Sequence, residues 1–182
     1  MDNNKGFTLI ELLVSIAIFG IVIAAVFGFM ISGTRSYSHI NSTVDLQTNS
    51  QLTMNFLEEY LIDCDEAFYN NDSDTIYIIN KAAPDNIVYI FKYDNSQNSI
   101  LFRQGKAQIQ ANGSYLCFDL GDTAVLSNMV SYFNVDHNLT GSGDNLEAVS
   151  VELHATFVNN SSEITSTKLI AFRNKPAFKP IA

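Results

Sequence analysis

The 182-residue chain is short of positive charge, with 10 Lys and Arg residues against 19 Asp and Glu residues. Its formal net charge at pH 7 is therefore −9. Proteins grip nucleic acids largely by neutralising phosphates with Lys and Arg, so this balance argues against direct nucleic acid binding. The length allows one domain, or one small domain with an appendage.

Catalytic and metal-binding motifs are also missing. The sequence contains no G-x-S-x-G, no phosphate-binding loop and no H-E-x-x-H. His39, His137 and His154 lie far apart and form no ligand-spaced pair. We therefore expect a protein that is not an enzyme, with no catalytic residues and no resident cofactor.

Cysteine is scarce, with Cys64 and Cys117 as the only two. They form no C-x-x-C and no Cys/His spacing of the kind that binds zinc. One disulfide between them would suit an extracellular domain. Two buried free thiols are the alternative, and the sequence leaves both open.

The N-terminal region contains a long apolar run, residues 7–31, in which Glu11 is the only charged residue. At ~1.5 Å per residue in a helix, the run spans roughly 37 Å, against ~30 Å for the hydrocarbon core of a bilayer. Secretory signal peptides have a shorter apolar region and a small-residue cleavage site, which this run lacks. The run predicts a single transmembrane helix. Lys5 and Arg35 on its two sides are compatible with an N-terminus inside the cell but do not force it.

Glu11 is unusual in such a segment. A carboxylate within a membrane-crossing helix costs about 2.5–3.5 kcal/mol on insertion scales. Because no basic residue lies nearby on the same helix face, we expect its partner to come from another chain or from a newly exposed terminus. The alternative is a protonated glutamate tolerated near the membrane interface.

Residues 5–14, KGFTLIELLV, resemble the class III signal of type IV pilins and pseudopilins. The resemblance implies that a prepilin peptidase removes residues 1–6 by cleaving between Gly6 and Phe7, and then methylates the new amine of Phe7. It also implies that Glu11 neutralises the N-terminal amine of a neighbouring subunit in a helical filament. This role agrees with the physical expectation that the carboxylate needs an outside partner.

The helix is expected to continue beyond the apolar run, since no proline occurs before Pro84. Apolar residues then recur at helical spacing, which predicts one buried face of an amphipathic helix that ends near Asp63. This predicted stripe consists of Tyr37, Ile40, Val44, Leu52, Phe56, Tyr60 and Cys64, widened by Leu57 and Leu61. The domain boundaries predicted from these patterns are 1–6, 7–31, 32–69 and 70–182.

Short β-rich runs separated by Asn, Asp, Ser and Gly fill the C-terminal part. The candidate strands are Thr75–Ile79, Ile87–Tyr93, Ser99–Arg103, Tyr115–Leu120, Val130–Val135, Ala148–Val158 and Lys168–Arg173. Residues 94–98 and 159–163 are predicted to connect successive strands. The expected fold class is α+β, a long N-terminal helix packed on an antiparallel sheet.

Three stretches of the C-terminal part, Leu126–Val130, Val149–Phe157 and Ile170–Lys175, resemble W-type minor pilins and J-type minor pseudopilins. The resemblance implies a subunit at or near the tip of a filament, where it helps to start assembly. The implied partners are other pilin subunits, the prepilin peptidase and an inner-membrane assembly platform. A tip adhesin or uptake pilin that binds a ligand through its β-rich head is the alternative.

One segment matches the oxygen-ligand spacing of a twelve-residue calcium loop. Its candidate ligands are Asp136, Asn138, Thr140 and Glu147. The flanking sequence reads as strands and not as the two helices that such a loop needs, which favours an ordinary hairpin connection. Calcium is thus the one metal ion that the sequence suggests.

Overall fold

The computed structural model describes residues 8–81, 85–110, 115–140, 147–159, 162–174 and 177–181, with the backbone alone for 138–140, 147–148 and 177–181. The predicted processing site, Gly6 and Phe7, lies outside the described residues. In chain order the elements are α1 (Leu9–Ile62), β1 (Glu66–Asn70), β2 (Thr75–Asn80), β3 (Asn86–Asp94), β4 (Ser99–Ile109), β5 (Tyr115–Phe118), β6 (Ala124–Ser127), β7 (Val130–Thr140), β8 (Glu147–Asn159), β9 (Ser162–Ala171) and β10 (Ala177–Ile181). This order confirms the predicted α+β class.

The chain divides into two compact units, Met1–Asn41 and Ser42–Ala182. In the first unit every described residue from Leu9 onward is helical, and every side chain is exposed. α1 is long and apolar enough to cross a membrane, with a mean hydropathy of 2.8 in an 18-residue window of which none is buried. Between Leu9 and Ile31 no polar face develops, because apolar residues occupy all sides of the helix.

In the second unit α1 is amphipathic. Its buried residues recur at spacings of three and four, and they are Leu46, Ser50, Thr53, Met54, Leu57 and Leu61. The predicted stripe is confirmed at Leu57, Leu61 and Cys64, while Phe56 and Tyr60 are half-buried at its edge.

The predicted burial was wrong for four residues of the stripe. Tyr37, Ile40, Val44 and Leu52 are 68%, 60%, 49% and 66% exposed. Val44 and Leu52 lie on the side of the helix opposite the buried residues. The buried face instead carries Leu46 and Met54, which the predicted stripe omitted, and the polar residues Ser50 and Thr53, which a pattern of apolar residues does not reveal.

The strands form one mixed sheet of order β5-β4-β3-β2-β1-β10-β8-β7, with β6 beside β4 and β9 beside β8. The pairings are antiparallel, as predicted, except that of β1 with β10, which is parallel. The first strand begins at Glu66, so the predicted boundary between helix and head at residues 69 and 70 was placed too late.

Strand prediction from sequence missed β1, β6 and β10. Only three residues separate β1 from the end of α1, β6 is four residues long, and β10 contains Pro180, which disfavours a strand prediction. β9 was predicted to begin at Lys168 but begins at Ser162, so part of the predicted connection 159–163 is strand. The connection at 94–98 was predicted correctly, since β3 ends at Asp94 and β4 begins at Ser99.

The main core lies between the buried face of α1 and one face of the sheet, and it includes the fully buried Phe91, Leu153 and Phe157. A smaller cluster around Ile79, Val88 and Ala107 covers part of the other face of strands β2 to β4. The rings of Phe68 on β1 and Tyr115 on β5 lie 5.6 Å apart, although three strands separate β1 from β5. The sheet therefore curls until its edge strand meets its middle.

Candidate functional site

The N-terminal end of α1 carries the candidate assembly site. Thr8 precedes the first helical residue, and the backbone N–H of Thr8 donates to Oε2 of Glu11 at 3.1 Å. The Thr8 hydroxyl donates to the same oxygen at 3.0 Å, and the N–H of Glu11 lies 3.4 Å from the Thr8 Oγ1 that accepts it. This reciprocal arrangement is a capping box, which satisfies N–H groups that a helix start otherwise leaves without partners.

The capping box gives the Glu11 carboxylate hydrogen-bond partners within its own chain. From the sequence alone the carboxylate was expected to need a partner from outside the chain, yet within the single chain it accepts two hydrogen bonds from Thr8. Sequence reasoning missed this although the T-x-x-E spacing of Thr8 and Glu11 was available. Acidic groups in the first turn also interact favourably with the positive end of the helix dipole.

Polar side chains further along the apolar helix bond to the helix backbone. The hydroxyl of Ser15 donates to the carbonyl of Glu11 at 2.7 Å, and that of Thr34 donates to the carbonyl of Met30 at 2.8 Å. Hydroxyls bonded in this way can enter a medium without water at low cost. Glu11 is thus the one charged group between residues 9 and 31. It lies at the start of a helical stretch whose apolar side chains are all exposed.

The two cysteines are free thiols in the structure. Cys64 is fully buried in the main core, whereas Cys117 packs against the smaller cluster around Val88. Burial, with the nearby Asp65, raises the pKa of the Cys64 thiol to about 12, and burial also raises the pKa of Cys117. Both groups are protonated at neutral pH and are therefore poor nucleophiles. Of the two alternatives left open by the sequence, the structure has the two thiols and not the disulfide.

The predicted calcium loop is not a loop where the structure describes it. Asp136, Asn138 and Thr140 belong to β7, Glu147 begins β8, and Thr140 pairs directly with Glu147. Residues 141–146 of the predicted loop lie outside the described residues, so calcium binding by these four residues stays a prediction. Among the residues that the structure describes, no group of three or more His, Cys, Asp and Glu side chains is placed to hold a metal ion.

His154 belongs to a polar network on the outer face of strands β7 to β9. Its Nε2 lies 3.3 Å from Oδ2 of Asp136, and its Nδ1 lies 3.2 Å from the hydroxyl of Thr167. Oδ1 of Asp136 also accepts a hydrogen bond from the amide of Asn134 at 3.2 Å. A hydroxyl, an imidazole and a carboxylate in a row resemble a hydrolytic arrangement, but this row lies across three strands of an open sheet face. We read it as a cross-strand polar network.

A cleft of about 450 Å³ lies elsewhere on the head, at the end of the sheet where the β3–β4 turn meets the β6–β7 corner. It is lined by Asn98, Asn128, Met129, Ser131, Val158 and Asn159. Its volume falls within the usual range of small-molecule sites, about 300–1,000 Å³. Sequence reasoning did not find it, because its six residues come from three segments that are distant in sequence and form no local motif.

Comparison with known families gives one finding at the N-terminus. The family model described as the prokaryotic N-terminal methylation motif matches residues 1–27. The match includes Gly6, Phe7 and Glu11 and confirms the resemblance seen in residues 5–14. Comparison with curated proteins and with solved structures gave no match. From its first residues into the exposed apolar helix, the chain carries the N-terminal signature of type IV pilins and pseudopilins.

Proposed function

We propose that the protein is a minor pilin or pseudopilin, a structural subunit that assembles through its N-terminal helix into a type IV pilus or a related filament of type II secretion or competence. The observation that carries this proposal is an apolar helix with no buried side chain between Leu9 and Ile31, and with one carboxylate in its first turn. Such a surface needs a bilayer or other subunits to cover it. Structural pilins are non-enzymatic, which agrees with the roles assigned here.

The mechanism starts in the cytoplasmic membrane, where the chain is a single-pass protein with its N-terminus inside. There the Thr8–Glu11 capping box keeps the carboxylate hydrogen-bonded. The prepilin peptidase then cleaves between Gly6 and Phe7 and methylates the amine of Phe7. In the filament the Glu11 carboxylate pairs with the Phe7 amine of a neighbouring subunit, so that each group offsets the burial cost of the other.

A minor role is favoured by the helix itself. Major pilins often carry a proline near the position of Gly28, which melts the helix locally, whereas α1 runs from Leu9 to Ile62 without one. We propose that the subunit primes or caps the filament, which the inner-membrane assembly platform extrudes across the envelope to an extracellular position.

The decisive experiment is Glu11→Ala, with Asp45→Ala as the control because Asp45 is an exposed carboxylate of the same helix outside the apolar run. Glu11→Ala is expected to insert into the membrane normally and to lose most of its incorporation into filaments. Removing one partner of a buried ion pair costs about 3–5 kcal/mol, or more than ~100-fold in an equilibrium. The measurement is the ratio of the protein in sheared filaments to that in membranes. Equal ratios for Glu11→Ala and Asp45→Ala would contradict the proposal.

Intact mass spectrometry of the assembled protein tests the processing step independently. The expected chain begins at N-methylated Phe7. Retention of Met1–Gly6 in the assembled subunit would mean that the pairing amine never forms, and the mechanism would fail.

A second candidate function is a ligand-binding role at the filament tip, as an adhesin or uptake pilin, and the cleft on the head favours it. Gene deletion separates the two candidates. Loss of all filaments indicates priming, whereas intact filaments without adhesion or uptake indicate a ligand-binding role. With a formal charge of −9, direct binding to nucleic acid is not expected.

A further inference from the structure

The cleft on the head is built from the β3–β4 turn, the β6–β7 corner with the start of β7, and the end of β8, and hydrogen bonds hold these parts together. The N–H of Val130 donates to the carbonyl of Asn98 at 2.8 Å, which ties the β3–β4 turn to the start of β7. The N–H of Val158 donates to the carbonyl of Met129 at 2.7 Å, which ties the β6–β7 corner to the end of β8. The backbone around the cleft is therefore fixed before any ligand arrives, and a preformed site loses less entropy on binding.

Individual side chains of the cleft are also positioned. The amide of Asn49 on α1 contacts the sulfur of Met129 at 3.7 Å, and the hydroxyl of Ser131 donates to the carbonyl of Thr156 at 3.3 Å. Asn98 has a φ of 50°, in the left-handed region that asparagine adopts more readily than most residues. The side chain of Asn98 is exposed at this turn.

The chemistry of the lining is neutral. The six lining residues supply three carboxamides and one hydroxyl, and none of them is charged. Each carboxamide offers both a donor and an acceptor, as each hydroxyl of a saccharide does. Val158, which is 39% exposed, and the half-buried Met129 add apolar surface of the kind that contacts the C–H face of a sugar ring. An ionic ligand would find no counter-charge in this lining.

We propose that this cleft binds a neutral saccharide through the carboxamides of Asn98 and Asn128, with Val158 and Met129 as its apolar wall. The use of such binding at a filament tip rests on the proposed function, but the binding itself is a property of the head. The ligand class is therefore uncharged and rich in hydroxyl groups.

The test uses the full chain in micelles of a zwitterionic detergent that has no sugar headgroup. Saturation-transfer NMR is recorded with glucose, galactose, lactose and N-acetylglucosamine, and with glucuronic acid and glucosamine as charged comparisons. At least one neutral sugar is expected to receive saturation and to bind more tightly than both charged sugars. If no neutral sugar binds, or if a charged sugar binds as well, the proposal is overturned.

Two variants locate the binding. Asn98→Gly removes the carboxamide while keeping the left-handed backbone accessible, and Asn128→Ala removes a second carboxamide. Each is expected to weaken binding of the best neutral sugar about tenfold, the effect of one lost hydrogen bond. Gln97→Ala, an exposed amide in the same turn outside the cleft, is the matched control and should retain full affinity. Unchanged affinity in both cleft variants would overturn the proposal.

Filament incorporation of Asn98→Gly, measured beside that of Glu11→Ala, keeps the two proposals separable. Asn98→Gly is expected to incorporate normally while losing sugar binding. If Glu11→Ala also incorporated normally, the filament mechanism would fail and the sugar titration would still decide the cleft. Loss of incorporation in Asn98→Gly would overturn the assignment of Asn98 to ligand binding alone.

Discussion

Two stretches of α1 differ in how their apolar side chains are used. Between Leu9 and Ile31 nearly every residue is apolar and none is buried by the rest of the chain. Between Leu46 and Leu61 the helix is more polar, yet six of its side chains are buried against the head. The more hydrophobic stretch thus contributes nothing to the core, and the less hydrophobic stretch anchors it.

The difference lies in periodicity. A face with spacing of three and four can be covered by one partner, and the sheet of the same chain provides it for Leu46, Leu57 and Leu61. A helix that is apolar on all sides needs a partner on all sides, which only a bilayer or several other subunits can provide. The total hydrophobicity of a helix therefore indicates that its surface will be covered. The spacing of its apolar residues indicates whether the rest of the same chain can cover it.

The sharpest test of this comparison is Leu57→Ala against Leu52→Ala. Leu57 is fully buried and Leu52 is 66% exposed, five residues apart on the same helix. Leu57→Ala is expected to lower the free energy of unfolding of the head by about 2–5 kcal/mol, from lost transfer energy and a residual cavity. Leu52→Ala should change it by less than about 0.5 kcal/mol. Urea unfolding of the full chain in micelles, followed by tyrosine fluorescence, provides the measurement, and equal losses would break the comparison.

Alanine substitution of glycine extends the test to backbone packing. A Cβ at Gly105 on β4 would lie 2.6 Å from Leu120 Cδ2 and 3.1 Å from the carbonyl oxygen of Phe118. Gly105→Ala is expected to destabilise the head by about 1–3 kcal/mol through overpacking. Gly33→Ala, in the exposed helix, meets nothing within 4 Å and should leave head unfolding unchanged. A loss of stability in Gly33→Ala would show that the exposed helix supports the head.

Alkaline pH should weaken the head and leave the apolar helix folded. The Cys64 thiol has an ordinary pKa of 9.0, which rises to about 12 in the folded head, and burial with the nearby Asp74 raises the pKa of Tyr69 from 10.0 to about 12. Between the two values the unfolded chain releases a proton that the folded head retains, so stability falls as pH rises. For Cys64 the loss is about 1.4 kcal/mol per pH unit above pH 9.

The control for this effect is Cys64→Ala, which should show a shallower fall of the urea midpoint between pH 9 and pH 11. The helical circular dichroism signal should persist over the same range, since Glu11 is the only ionisable side chain between Leu9 and Ile31. Parallel slopes for wild type and Cys64→Ala would contradict the assignment.

The smallest effect is expected from calcium. Asp136 and Glu147 lie in paired strands, so the head should draw its stability from its core and not from a bound ion. Addition of millimolar calcium is expected to leave the melting temperature of the head unchanged. A site with a Kd of about 10 μM would instead stabilise it by about 2.7 kcal/mol at 1 mM calcium, which thermal unfolding readily detects. Such a shift would confirm the calcium prediction.

Much of the fold and of the candidate site could be predicted from the sequence. The apolar helix and the motif that includes Glu11 were predicted correctly, because each depends on a local pattern. The T-x-x-E capping box was equally local and was overlooked. The parallel β1–β10 pair and the cleft at Asn98 could not be predicted, because each joins segments distant in sequence.

The sequence by itself determined which part of the chain must be covered by a bilayer or by other subunits. The apolar residues of this run lie on all sides of the helix, and the rest of the chain cannot shield all of them from water. It also determined the chemistry of the helix start, where Thr8 and Glu11 are three residues apart. Only the tertiary structure decided which face of the later helix is buried, because Ser50 and Thr53 are polar and are buried by the shape of the sheet against them. It likewise left Cys64 and Cys117 as separate thiols, since Cys64 is buried in the main core and Cys117 packs against the smaller cluster.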